Sequence, residues 1–187
     1  NNNYQTYLVR NTPLYVGGNA QLDELILEFT SYDQMGKGWD LIAANGAEML
    51  ELLEDSADCQ RSLSHYRPMH NKANWEPDDD RVMTVNWCRR LEGVSWTALS
   101  KEHASWTFGD NVGYAGIVIP ALGIKQGDFP GEFAHLRVYP DAGAMLAEQN
   151  RISNEGGWKN REAYFENFAG CSGSNAYLQS VVIRPSP

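Results

Sequence analysis

From Arg81 onward, apolar and polar side chains begin to alternate, and the second half of the chain reads mostly as strands. Val82, Met83, Val85 and Trp87 form the first such run. Residues 112–119, Phe133–Tyr139 (with Leu136 and Val138) and Tyr177–Arg184 form three more. Successive side chains of a strand point to opposite faces, so this spacing predicts a sheet. Before Arg81 the spacing differs. Leu22, Leu25, Ile26 and Phe29 recur at helical intervals and predict a helix from near Gln21, capped by Asn19 and ending near Gly36 or Gly38. A second helix is predicted from about Trp39 to Cys59, with Leu41, Ile42, Met49, Leu52 and Leu53 on its apolar face. Gly46 weakens its middle by about 1 kcal/mol relative to Ala. In this half only Tyr4–Val16 reads as a strand, interrupted by Pro13 and ended by Gly17-Gly18. Short helices are predicted after Ser95, over 141–150 and over 160–168. Residues 62–80 read as a long ordered loop, and Gly170–Ser174 as a glycine-rich loop. Helices largely segregated from strands argue for an α+β fold: a single domain over 1–187, with N-terminal helices packed on a mixed or antiparallel sheet.

A chain of 187 residues with 42% hydrophobic side chains can bury one sizeable core. Its net charge of −9 disfavours an extended nucleic-acid surface, because phosphates are gripped by Lys and Arg. No run is long and apolar enough to span a membrane, so the expectation is a protein that does not work in one. The three cysteines, Cys59, Cys88 and Cys171, include no CxxC pair. That excludes a zinc ribbon or finger and favours buried free thiols over a disulfide framework, with one disulfide plus one free thiol left open. Six Trp and nine Tyr are many for this length, and such rings fill cores or line ligand sites.

The chemistry-bearing residues gather around strand ends. Arg10 lies on an early strand, Ser95 at a strand terminus and Glu132 at a strand start. An arginine can hold a pyrophosphate by paired hydrogen bonds, and a glutamate can stabilise positive charge developing at an anomeric carbon. This set resembles the mono-ADP-ribosyltransferase toxins, which use an arginine, a strand-end serine motif and a late glutamate in that order. Val94-Ser95-Trp96-Thr97 followed by Ser100–Ala104 is similar to that family's serine strand and helix, and Gly131-Glu132 before Phe133–Tyr139 to its glutamate strand. The resemblance implies cleavage of the nicotinamide–ribose bond of NAD. Arg10 would grip phosphate, Ser95 orient the site and Glu132 stabilise the oxocarbenium-like transition state. Trp96, Thr97 and Tyr114 would contact the substrate, with no metal and an acceptor of unspecified kind. Arg67 competes with Arg10 for the arginine role.

A different class reads the same chain as a binding module without turnover, with sugars or peptide groups stacking on Trp75, Trp87, Trp96, Trp106 or Trp158, or as a surface protein of a larger particle. A third needs His65 and His70, beside Asp78, Asp79 and Asp80, or His135 and Cys171, to converge into a metal- or cysteine-dependent hydrolase. His103 is a further candidate base for Cys171 or a serine.

Overall fold

The computed structural model describes residues 6–17, 24–56, 61–72, 80–123 and 131–184. Asn19, Gln21, Cys59, Trp75, Asp78 and Asp79 lie outside the described residues. The elements run β1 (Tyr7–Tyr15), β2 (Leu25–Phe29), α1 (Tyr32–Asn45), α2 (Ala47–Ser56), β3 (Leu63–Asn71), β4 (Asp80–Arg90) and α3 (Trp96–Ala104), then β5 (Tyr114–Leu122), β6 (Phe133–Tyr139), α4 (Ala142–Asn154), α5 (Gly157–Asn167), β7 (Ala169–Cys171) and β8 (Asn175–Ile183).

The strands form one eight-stranded sheet in the order β2-β1-β8-β4-β6-β5-β3, with β7 added on β4. Its pairings among the described residues are all antiparallel. Strands β4 and β6 occupy its centre, which is why their burial is nearly continuous rather than alternating. The two ends of the strand order meet: Phe29 of β2 and Tyr66 of β3 pack edge to face with ring centroids 5.3 Å apart. The sheet is therefore curled into a half-barrel. Met83, Val85, Leu136 and Val138 point to its concave side, where Tyr66 and Tyr114 pack against them. Val82, Cys88, Phe133 and Tyr139 point to the convex side, covered by Leu99 of α3, Met145 of α4 and Tyr164 of α5.

The fold class is α+β as the spacing implies, but the helices covering the sheet are not the N-terminal ones. They come from the second half of the chain. Within α1 only Gly38 is buried, and α1 reaches the sheet through a hydrogen bond between the Tyr32 hydroxyl and His65. Of the helix expected from near Gln21 to Gly36 or Gly38, Leu25–Phe29 is strand β2, and Leu22 lies outside the described residues. Leu25, Leu27 and Phe29 are partly buried on the concave side, while Ile26 and Glu28 are exposed. Pairing with β1 satisfies this backbone, and Asn11 Nδ2 adds a 2.8 Å bond to the Leu25 carbonyl. Gly36 and Gly38, expected to end a helix, lie inside α1, which starts where the Ser31 hydroxyl accepts from the Gln34 amide. The single helix expected over 39–59 is divided at Gly46. A Cβ there would meet the Ile42 carbonyl oxygen at 2.5 Å, so only glycine lets the backbone turn so closely.

The expected loop over 62–80 contains strand β3, paired with β5 from Leu63 to Asn71, with the ladder irregular between Pro68 and His70. Proline removes a ladder donor, and an edge strand with a bulge is where it is tolerated. Likewise Ala169–Cys171, read as part of a flexible loop, is the short strand β7.

The curl depends on a missing side chain. A Cβ at Gly116 would lie 2.0 Å from the Tyr66 hydroxyl. That ring is held by Phe29 on one side and by Tyr114, stacked at 5.7 Å, on the other. Gly116→Ala is expected to cost about 1–3 kcal/mol, the range for forcing extra volume into a packed core. Urea unfolding measures it, and unchanged stability would mean the ring swings aside freely.

Candidate functional site

Strand β4 ends at Arg90, and the chain turns through Gly93 into α3. Gly93 has φ +80°, a left-handed conformation that glycine adopts without strain. Ser95 is the N-cap of α3, its hydroxyl accepting from the Ala98 amide at 3.1 Å. Ser95 therefore ends no strand, contrary to the expectation, since β4 stops at Arg90; its role is to start the helix. Glu132 is set in place by its own amide, which donates to the Cys88 carbonyl at 2.8 Å.

Between them stands Arg90. Its Nε donates to Glu132 Oε2 at 2.9 Å and its Nη1 to the Val94 carbonyl at 2.9 Å. The guanidinium lies over the Trp96 ring, 4.4 Å from the centroid. Trp96 packs edge to face on Phe133 with centroids 5.8 Å apart and remains 37% exposed. One arginine thus ties Glu132, Trp96 and the Ser95 turn into a single partly exposed cluster, with Thr97 exposed on the first turn of α3.

Two predicted site residues lie elsewhere. Arg10 is paired with Glu24, which lowers the carboxyl pKa and raises that of the guanidinium, chiefly through their hydrogen bond. In the ladder Arg10 faces Ser180, and Ser180 faces Asp80 at the start of β4. Glu132 is bonded at Cys88, near the other end of that strand. Eight residues of strand span about 27 Å, so Arg10 and Glu132 do not line one cleft. Tyr114 lies on the concave side, stacked on Tyr66, and burial raises the pKa of both phenols. Arg67, the alternative arginine, is nearer: its Nη1 donates to Ser100 Oγ of α3 at 3.4 Å. Comparison with protein-family models, curated proteins and solved structures finds no match.

The convex side holds a second cluster, beneath α3 and α5. His103 of α3, His135 of β6 and Tyr164 of α5 are all at least nine-tenths buried. His135 Nε2 lies 3.1 Å from His103 Nε2, and His103 Nε2 lies 2.9 Å from the Tyr164 hydroxyl. Trp106 packs against all three rings with centroids 5.0 Å away. On its other side, His135 Nδ1 lies 3.5 Å from Cys88 Sγ. Cys88 and Cys171 face each other across the β4–β7 ladder and form a disulfide.

His135 and Cys171 therefore do converge. The metal-ligating atoms of Cys88, His135 and Cys171 all lie within 4.8 Å of one another. The disulfide corrects the expectation of free thiols at these two positions. It also removes Cys171 as a nucleophile, since a sulfur bonded to sulfur carries no thiolate. His65 and His70 do not converge. They lie five residues apart on β3, one against Tyr32 and the other bonded to the Val112 carbonyl at 3.1 Å.

Burial lowers His103 from 6.5 to about 4 and holds His135 well below 6.5, with the nearby His103 and Arg137 adding to the effect. Both rings are neutral in the fold, whereas an unfolded chain protonates them below pH 6.5. Stability is thus complete above that pH and is lost as pH falls, until the folded groups also titrate, near 4 for His103. The expected slope between pH 6.5 and 5 is up to about 1.4 kcal/mol per pH unit for each histidine. Urea titrations at pH 7.5, 6.5, 5.5 and 5.0 read it. A flat profile there would show that the two rings are not neutral in the fold.

Proposed function

We propose that this chain is a binding module that takes a hydroxyl-rich ligand, a sugar ring being the chemistry that fits, on the Trp96 face beside Arg90 and Glu132. The observation carrying this reading is that Arg90 is held at once by Glu132, the Val94 carbonyl and the Trp96 ring. An exposed indole stacks against the C–H face of a sugar, and a guanidinium next to a carboxylate offers donors and acceptors to neighbouring hydroxyls. Because the three side chains are already ordered, little conformational entropy remains to be lost on binding.

The ADP-ribosyltransferase-like reading is the second, and the same cluster supports it in part. Glu132 and Ser95 stand near one cation, with Arg90 rather than Arg10 in that place. A glutamate already paired with a guanidinium is a weaker stabiliser of an oxocarbenium-like centre than a free one, which is why this reading ranks lower.

The test is a glycan array followed by calorimetry with wild type and Trp96→Ala, run beside an NAD assay that follows released nicotinamide. Loss of glycan affinity by about tenfold or more in Trp96→Ala, without NAD turnover, is the expected result. Nicotinamide release that disappears in Glu132→Gln would instead establish the enzyme. Absence of both activities would overturn both readings.

A further inference from the structure

We propose that Cys88, Cys171 and His135 form a redox-gated zinc site: closed as a disulfide, and open to one Zn²⁺ when the disulfide is reduced. The ligand set follows from where the lone pairs point. The Tyr164 hydroxyl is buried and stays protonated, so it donates, and the near acceptor is His103 Nε2 at 2.9 Å. That single lone pair is then taken, so the His135 Nε2–H, 3.1 Å from His103 Nε2, is left to the Tyr164 oxygen at 3.5 Å. A neutral imidazole carries one N–H, so His135 Nδ1 keeps its lone pair and aims it at the sulfurs, 3.5 Å from Cys88 Sγ. A disulfide has no proton to offer that lone pair. Two thiolates and a metal ion would satisfy it.

The geometry suits zinc. Zn–S bonds of about 2.3 Å and Zn–N bonds of about 2.0–2.1 Å, at tetrahedral angles, put sulfur and nitrogen about 3.5 Å apart. The contact of His135 Nε2–H with the Tyr164 oxygen is the kind of outer contact that orients a metal-binding imidazole. A further acceptor stands alongside. Asn86 faces His135 across the β4–β6 ladder, and its buried Oδ1 has no hydrogen-bond partner among the described residues. With zinc held there, it would accept a hydrogen bond from a water in the fourth position.

The disulfide is also asymmetric in access. Cys88 is 1% exposed, whereas Cys171 is only partly buried, on a three-residue strand. A dithiol reductant would attack Cys171 Sγ, form a mixed disulfide there and release Cys88 as a thiolate beside His135. The reductant's second thiol then closes its own disulfide and frees Cys171. Two electrons and two protons reach the protein, and zinc binding expels the two thiol protons.

The test uses Cys59→Ser protein, so that only the two paired cysteines remain. It is reduced, freed of reductant under anaerobic conditions and titrated with Co²⁺ and then Zn²⁺. One equivalent of Co²⁺ with thiolate-to-metal charge-transfer absorption, displaced by one equivalent of Zn²⁺ in native mass spectrometry, is expected. The oxidised protein should take up neither. His135→Asn should weaken Zn²⁺ binding at least tenfold and shift the Co²⁺ spectrum. If reduction alone loosens the fold, added Zn²⁺ should restore the circular dichroism and melting temperature of the reduced protein. Reduced protein that binds no metal, equal uptake by the oxidised form, or an unchanged spectrum in a folded His135→Asn protein would overturn the proposal.

Discussion

Reducing the Cys88–Cys171 disulfide without metal is expected to cost the fold about 4 kcal/mol. The bond joins positions 83 residues apart, and in the chain-entropy description a loop of that size is among the more stabilising to close. The local structure has little to replace it. Strand β7 pairs with β4 through Cys171, Gly170 and Ala169, extended by one backbone bond at each end (Ser172 amide to Trp87 carbonyl, Leu91 amide to Phe168 carbonyl), and it follows directly on α5. Denaturant unfolding with and without reductant, in the Cys59→Ser background, measures the difference. A loss below about 1 kcal/mol would mean that packing of Ala169 and Phe168 holds this corner unaided, an outcome within the scatter known for such bonds.

Phe133→Ala is expected to cost about 3–5 kcal/mol, as for other large aromatic side chains removed from a core. Phe133 is 0% exposed and touches Trp96, His103 and His135 at once. Its removal opens space between the surface cluster and the buried histidines, so the two would fail together. Chemical denaturation gives the stability, and Trp fluorescence gives the local loosening around Trp96. If stability falls while the emission of Trp96, compared with that of a Trp96→Phe control, does not change, the ring does not position the surface cluster.

The central strands were legible because they are rich in apolar residues that had only one way to be buried. Strands β4, β5, β6 and β8 lie within a few residues of the runs predicted. Strand β2 was not legible, because Leu25, Ile26 and Phe29 recur at helical spacing while Leu25, Leu27 and Phe29 alternate as a strand, and the same five residues satisfy both. Only the partner strand β1 decides between them, and a partner is not visible in a five-residue window. Strand β3 was hidden by Pro68 and the polar residues of an edge.

The candidate site shows the same limit. Ser95, Trp96 and Glu132 could be named from the sequence, but Arg90 only as one of three neighbouring arginines with Arg81 and Arg89, a possible cationic pocket, and not as the side chain joining them. What singles it out is its place on the convex face two residues beyond Cys88, which is knowable once the register of β4 is. His103, His135 and Tyr164 come from three elements, and nothing local marks them as neighbours. The cysteine count misled for a simpler reason, since an odd total is compatible with one pair and one remainder.

The place of β8 in the sheet has a consequence for how the chain acquires its shape during synthesis. Among the described residues, strand β1 reaches the ladder of the central strands through β8, which also pairs with β4. Paired residues of the two strands lie about 170 apart along the chain, as Arg10 and Ser180 do, so their pairing is among the most distant contacts the fold makes. While β8 is still inside the ribosome, β1 and β2 have no sheet to join, and β4 presents an open edge of backbone donors and acceptors. Strand β1, made before the other described strands, is therefore among the last of them to be docked. Folding should be slow for a domain of this size, and the exposed β4 edge is the place where association between nascent chains would begin.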